Sequence, residues 1–377
     1  MKPVVIGAGA AGLAVAATLL DHGVDADVLE RSDGVASSWA ARYDSLTLHT
    51  VRWLSGMPGY PIPREYGSWV TRDGMVRYLA DYAERRRVRP EFGVEVTRID
   101  RAGDAWRLTT SGGPRDASAV VVATGLCTHP LLPDWADDPG LPLVHSSAYR
   151  NPAPYAGQHV LVVGSGNSAA EIAVDLVGAG VQVTLSVRTP PNIVRRDTFG
   201  VPSQLLGVAL RHVPEPVMNP LSSALRKVSV PDLAEFGLPA PAGDGYTQFL
   251  RSKTVPILDH GFVDAVRAGR ITVVPAVTAI EDGTVALADG STLRPDAVVA
   301  ATGYRPGLEP LVGHLGVLDK DGLPLANGAR TLASTPGLYF AGIEVLLAGL
   351  LREIAMEAKA IANDIAESAA REPATSS

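Results

Sequence analysis

Two glycine-rich turns, 157 residues apart, constrain this chain more than any other feature. The first, Gly7-Ala8-Gly9-Ala10-Ala11-Gly12, comes directly after Val4-Val5-Ile6. The second, Gly164-Ser165-Gly166-Asn167-Ser168-Ala169, comes directly after Val160-Leu161-Val162-Val163. Each stands where a buried strand should end and a helix begin, the context in which such a turn cradles the phosphates of a dinucleotide. The first glycine makes the tight turn and the second lets the backbone approach the pyrophosphate. The third, replaced by Ala169 in the second copy, lets the helix pack close to the strand. Two such sites imply two dinucleotides, and two redox dinucleotides imply electron transfer between them.

The strand beyond each turn distinguishes the two sites. Asp27-Val28-Leu29 reads as the next strand of the first unit, and Glu30 closes it, 23 residues beyond Gly7. An acid there accepts hydrogen bonds from the ribose hydroxyls of FAD or NAD. Gln182 to Val187 is the matching strand of the second unit, and Arg188 closes it, 24 residues beyond Gly164. An arginine there can pair with the 2′-phosphate of NADP. The expected cofactors are therefore FAD in the first site and NADPH in the second.

At 377 residues the chain exceeds one core of typical size. The net charge of −7 argues against a nucleic-acid partner or an anionic membrane surface. No apolar run reaches the length of a membrane span, and the stretch Val4 to Leu20 is broken by glycines where a signal peptide needs a continuous apolar core. A cytoplasmic location is the default expectation. The histidines lack ligand spacing, so no metal site is expected. The single cysteine, Cys127, excludes a two-cysteine disulfide reductase built on the same two dinucleotide folds.

The expected fold class is α/β, with two Rossmann-like, doubly wound, three-layer domains, each carrying an antiparallel β insertion. In the first half, Val94 to Ile99 and Trp106 to Thr109 read as a hairpin leading into the buried strand that ends at Ala123-Thr124-Gly125. In the second half, Ile271 to Ile280, a turn at Asp282-Gly283, Val285 to Leu287 and a second turn at Asp289-Gly290 lead likewise into the buried strand that ends at Ala301-Thr302-Gly303. A strand ending at Gly342 and a helix from about Leu347 to Ala370 should return to the first unit. The expected domains are 1–150 plus 296–377 for FAD, and 151–295 for NADPH with a Pro/Leu-rich insertion at 190–260. That insertion, with helical patches at Ser203–Leu210 and Leu221–Val228, and the Trp- and Pro-rich stretch 31–90 are the natural walls of a substrate cavity. The last four residues should be disordered.

These residues together resemble the flavin-containing monooxygenase family, in particular its YUCCA-like and bacterial branch. The resemblance runs over nearly the whole chain. It rests on both glycine turns, Glu30, Ser38-Trp39, Leu48-His49, the Ala-Thr-Gly strand ends, His145 with Tyr149, Val187-Arg188-Thr189-Pro190, Arg195-Arg196, Tyr304 and Tyr339-Phe340-Ala341-Gly342. The family motif FxGxxxHxxx(F/Y/W) keeps His145 and Tyr149 but has Pro139 and Leu141 at its Phe and Gly positions, and Ser37-Ser38 replaces the usual Gly-Gly. The resemblance implies that NADPH reduces FAD, that oxygen is carried as a C4a-(hydro)peroxyflavin, and that one oxygen atom enters a small organic substrate. The substrate class does not follow from it.

The expected cofactor contacts are Gly7, Gly9, Gly12, Glu30, Arg31, Trp39, His49, Thr124, Gly125 and Gly342 for FAD, and Gly164, Gly166, Asn167, Ser168, Arg188, Thr302, Gly303 and Tyr304 along the later edges. His49 is the candidate catalytic residue, because an imidazole beside the flavin can hydrogen-bond the oxygen adduct or move its proton; the competing reading is a packing or FAD-ribose contact. His145 and Tyr149 read as links between the domains, and one of Arg195 and Arg196 as a surface charge. Two other functions stay open: an FAD-linked NAD(P)H reductase or oxidase without oxygen insertion, and a non-catalytic nucleotide-binding regulator.

Overall fold

The computed structural model describes residues 1–198, 200–210, 230–239, 255–344 and 349–371. They form two compact units: 1–40, 50–129 and 304–377 in the first, 41–49 and 130–303 in the second. The patch 221–228 and the last four residues lie outside the described residues, as does much of the 190–260 insertion.

The first unit is built on a five-stranded parallel sheet ordered Leu338–Phe340, Val120–Val122, Val4–Ile6, Asp27–Glu30, Glu91–Phe92. The central strand Val4–Ile6 pairs on one side with Asp27–Glu30 and on the other with Val120–Val122, so the direction of winding reverses at the strand that feeds the first glycine turn. The two-residue period of the strands sorts their side chains into two layers. Val4, Ile6, Val120, Val122, Leu338 and Phe340 face a core shared with Ile99, Trp106 and Leu108 of an antiparallel meander, Val96–Ala102, Ala105–Thr110 and Arg115–Ala117. The opposite face is covered by the helix Ala10–Asp21, which packs on the closing helix Leu350–Arg371. Each fully buried Val or Leu contributes about 1.5–3 kcal/mol.

The second unit repeats the plan. Its parallel sheet is ordered Ile271–Val274, Gln182–Ser186, His159–Val163, Ala297–Ala300, Leu143–His145. Val160 and Val162 face the helix Asn167–Gly178 through Ala169, Ile172, Ala173 and Leu176. Leu161 and Val163 face the meander Val277–Glu281, Thr284–Leu287 and Thr292–Leu293 through Ile280, Val285 and Leu287. The fold is thus α/β with two doubly wound, three-layer units, each with an antiparallel insertion.

Three expectations change. The unit borders move, because Ala297–Ala300 pairs residue for residue with Val160–Val163, and Leu143–His145 pairs with Ala297–Ala300 on its far side. Residues 130–150 and 296–303 therefore belong to the second unit. The first expected hairpin is three-stranded, since Arg115–Ala117 adds an edge, while in the second half the turn at Asp289-Gly290 leads into the third strand Thr292–Leu293. Finally, Ile271–Ile280 is not one strand: it divides at Pro275-Ala276 into a parallel strand and the start of the meander, because proline lacks the N–H that a central ladder needs.

Candidate functional site

In the first turn, Gly9 caps the helix Ala10–Asp21 without any side-chain hydrogen bond. The first N–H groups of that helix have no intrahelical acceptor and carry its positive dipole end. Gly12 is packed so tightly that a Cβ would stand 1.8 Å from the Gly7 carbonyl oxygen, whereas one at Gly9 would meet nothing within 4 Å. The close side of the turn is filled by backbone and the other side is open. Glu30 is buried; its Oε2 accepts the Ala8 N–H at 2.7 Å and its Oε1 the Ser32 N–H at 2.9 Å. Each oxygen keeps a second acceptor position. At the neighbouring strand end the Thr124 hydroxyl is buried with no partner among the described residues, next to Gly125 in a left-handed conformation with open space on its Cβ side. A buried hydroxyl without a partner is costly unless a ligand meets it. The open turn, the acceptor at Glu30 and this hydroxyl fit a dinucleotide.

Trp39 lies half-buried in the short helix Ser37–Ala40, just after Ala36, whose N–H is bonded to the Ala8 carbonyl at 3.1 Å; Arg31 is exposed. The Gly342 N–H donates to Glu357 Oε2 of the closing helix at 2.7 Å. Burial, with Glu344 and Glu353 nearby, pushes the Glu357 carboxyl up to about 7.

In the second turn Gly166 caps the helix Asn167–Gly178, again with no side-chain bond and with open space on its Cβ side. Gly164 takes φ +147°, and a Cβ there would stand 2.4 Å from the Ala301 carbonyl oxygen. Asn167 differs from expectation. Its side-chain N–H donates to the Pro256 carbonyl at 3.0 Å and its Oδ1 accepts the Leu258 N–H at 2.8 Å, so the side chain ties the helix start to the strand Ile257–Asp259. Arg188 is exposed past the strand Gln182–Ser186 and has no hydrogen bond or ion pair among the described residues. Thr302 donates its hydroxyl to the Leu131 carbonyl, and the Gly303 carbonyl accepts the Leu131 N–H at 3.0 Å. Tyr304 is half-buried just beyond.

His145 locks that strand end. Ser147 N–H donates to its Nδ1 at 3.1 Å, which leaves the proton on Nε2, 3.0 Å from the Gly303 carbonyl oxygen. Burial lowers its pKa, in keeping with a neutral ring. Tyr149 is buried in the second unit and donates to Asp175 at 2.7 Å. Both residues therefore act within the second unit's own packing.

His49 also lies in the second unit. Its Nε2 stands 2.6 Å from Glu171 Oε1, with both atoms screened from solvent. Glu171, in the helix that opens at Gly166, is 7% exposed, and its Oε2 accepts the Tyr43 hydroxyl at 2.6 Å. His260 Nε2 lies 4.0 Å from Oε1. Arg196, half-buried, donates to the Thr47 hydroxyl at 3.3 Å, while Arg195 is exposed and is the surface charge of the pair. Burial alone would lower the His49 pKa, but the charge and hydrogen bond of Glu171 outweigh it and raise it. Burial likewise works against a charged Glu171, yet His49, Tyr43 and His260 hold its pKa below the usual carboxylate value. The sequence reading missed Tyr43, Glu171 and His260. The available signal was a lone carboxylate in the apolar run Ala169-Ala170-Glu171-Ile172-Ala173.

Among the described residues no group of His, Cys, Asp and Glu could hold a metal ion, and no helix is long and apolar enough to cross a membrane. Cys127 is exposed.

Residues 4–199 match the family described as pyridine nucleotide-disulphide oxidoreductase. Indole-3-pyruvate monooxygenase YUCCA1 of Oryza sativa subsp. japonica is 35% identical over 351 residues, covering 90% of this chain and 86% of its own. Indole-3-pyruvate monooxygenase YUCCA6 of Arabidopsis thaliana is 31% identical, covering 96% and 89%. Among solved structures, a flavin-containing monooxygenase from Stenotrophomonas maltophilia superposes with a TM-score of 0.75 at 23% identity, covering 98% of both chains. Cyclohexanone monooxygenase bound to epsilon-caprolactone superposes with a TM-score of 0.72 at 20% identity, covering 98% of this chain and 88% of its own. Two parallel sheets, two glycine turns and a plant relative above one-third identity over most of both chains converge: this chain belongs to the flavin-dependent monooxygenase family that includes the YUCCA enzymes.

Proposed function

We propose that the protein is an FAD-dependent, NADPH-consuming monooxygenase that inserts one atom of O2 into a small organic substrate. One observation carries the reading: the two sheets end in the same open glycine turn, but the matched strand ends bear opposite charges, Glu30 in one and Arg188 in the other. In the first unit Gly7, Gly9 and Gly12 with the adjoining helix would hold the FAD pyrophosphate. Glu30 would accept from the ribose, and Thr124 and the Gly125 and Gly342 backbones would complete the edge. Arg31 and Trp39, on the segment that follows Glu30, would flank it. In the second unit Gly164, Gly166 and Ser168 would hold the NADPH pyrophosphate and Arg188 its 2′-phosphate, with Thr302, Gly303 and Tyr304 shaping the strand end. Bound FAD would supply the redox and oxygen chemistry, including the C4a-(hydro)peroxyflavin that this family reading implies. His49 enters as a positioning residue, because its Nε2 is occupied by Glu171. The plant relatives' names make a 2-oxo acid, indole-3-pyruvate, the first substrate to try.

The purified protein should be yellow with about one FAD per chain. Mixed with NADPH, O2 and a 2-oxo acid, ketone or soft heteroatom compound, it should give oxygenated product coupled to NADPH loss. Colourless protein that cannot be reconstituted, or stoichiometric hydrogen peroxide with every substrate class, would overturn the reading in favour of a regulator or an oxidase. Arg188→Ala should narrow the NADPH-over-NADH preference by roughly tenfold, the size of one charge-assisted pair to phosphate. An unchanged ratio in steady-state kinetics would remove Arg188 from the site.

A further inference from the structure

The segment 41–49 is fastened along its length to the second unit. The Asp44 N–H donates to the Arg150 carbonyl at 2.8 Å, the Asn151 side chain donates to the Asp44 carboxylate at 2.8 Å, and Arg150 donates to the Ala41 carbonyl. Tyr43 and His49 then converge from this strap on one buried carboxylate, Glu171. Glu171 lies five residues beyond Gly166, about 7.5 Å along the helix axis from the cap of the second turn. A bare carboxylate at that place would oppose the field that the helix N-terminus offers an anion. A protonated His49 cancels it.

We infer that Glu171 is a positioning residue whose carboxylate fastens the 41–49 strap to the second dinucleotide helix, and that His49 is the counter-ion that lets this helix accept an anionic dinucleotide. The inference rests on the NADPH reading of the second site. The groups that face Glu171 are Tyr43, His49 and His260, with Arg196 close by; Asp197 and Asp259 face Arg196, and Arg42 lies near Tyr43. Of these, His49 is the base paired directly with Glu171 through a solvent-screened Nε2 and carries the raised pKa. As pH rises and His49 loses its proton, the uncompensated carboxylate should weaken dinucleotide binding. One unit charge acting over about 10 Å in an effective dielectric of about 40 corresponds to roughly a fourfold change in affinity.

The test is calorimetric titration of NADP+ into the oxidised, FAD-loaded protein, wild type and His49→Gln, from about pH 6 to about pH 9.5, a range that brackets the ordinary histidine value. The wild type should bind roughly fourfold tighter than the variant at low pH and converge on it at high pH. The 2′-phosphate gains charge over the lower part of this range, but equally for both proteins, so the ratio cancels it. Tyr43→Phe, which removes a donor from Glu171 and so leaves its charge less shared, should strengthen the hold on the His49 proton and move the midpoint of this convergence to higher pH. FAD content and near-ultraviolet circular dichroism report folding of each variant. A ratio constant with pH, or a Tyr43→Phe midpoint unmoved, overturns the inference while leaving the second site intact. Yellow wild-type protein that binds no NADP+ at any pH overturns the NADPH reading itself.

Discussion

At Glu171, burial favours the neutral acid, while His49, Tyr43 and His260 favour the carboxylate and prevail. The signs for stability come from linkage. Glu171 has its pKa depressed, so its contribution is complete above its ordinary value of 4.5 and is lost as pH falls through the lower folded value. His49 has its pKa raised, so its contribution is complete below 6.5 and is lost as pH rises through the higher folded value. Both are complete together only between those ordinary values. The stability difference between wild type and His49→Ala, from denaturant midpoints across pH, should therefore peak in that window and shrink on both sides. A flat difference would mean that the pair is not ionised in the fold. The same variant separates two roles for the imidazole. A residue acting through Glu171 changes NADP+ affinity, whereas one bonded to the flavin–oxygen adduct would leave affinity alone and raise peroxide release.

At the scale of elements, the closing helix Leu350–Arg371 carries a second unusual carboxylate. Glu357 holds the Gly342 N–H at 2.7 Å, and its pKa is raised to about 7 by burial. A raised carboxyl stabilises the fold fully below its unfolded value and loses that contribution as pH rises through about 7. Glu357→Gln, which cannot ionise but can still accept the Gly342 N–H, should therefore be more stable than wild type above that pH, by on the order of 2 kcal/mol, and should show a flatter dependence of Tm on pH. A variant less stable than wild type at high pH would show that the charged form is the one the turn requires. The strands and both glycine turns were legible in the sequence because they obey local rules: a two-residue period, and positions such as Gly12 that tolerate no Cβ. The sheet that Ala297–Ala300 joins was not, because an apolar run carries no mark of its neighbour; pairing with Val160–Val163 decides it. Glu171 escaped for a related reason. Its partner Tyr43 is 128 residues away, and no spacing rule links a lone helix carboxylate to so distant a hydroxyl.

Across the whole molecule, the two units have separate cores and separate dinucleotide turns. Each cofactor should therefore leave its own footprint in hydrogen exchange. FAD should slow the amides around 7–13, 30–32, 123–125 and 341–343; NADP+ should slow those around 164–170 and 186–189. Protection of the first set by NADP+ alone would reverse the assignment of cofactors to units. The discontinuity of the second unit has a practical consequence for anyone recombining this gene with a relative's. A chimera that exchanges only residues 130–303 imports a foreign helix while keeping the native 41–49 strap, and Tyr43 and His49 then meet whatever side chain the donor places at position 171. The crossover points that respect the molecule are three-way, with 41–49 travelling alongside 130–303 as one inheritable block.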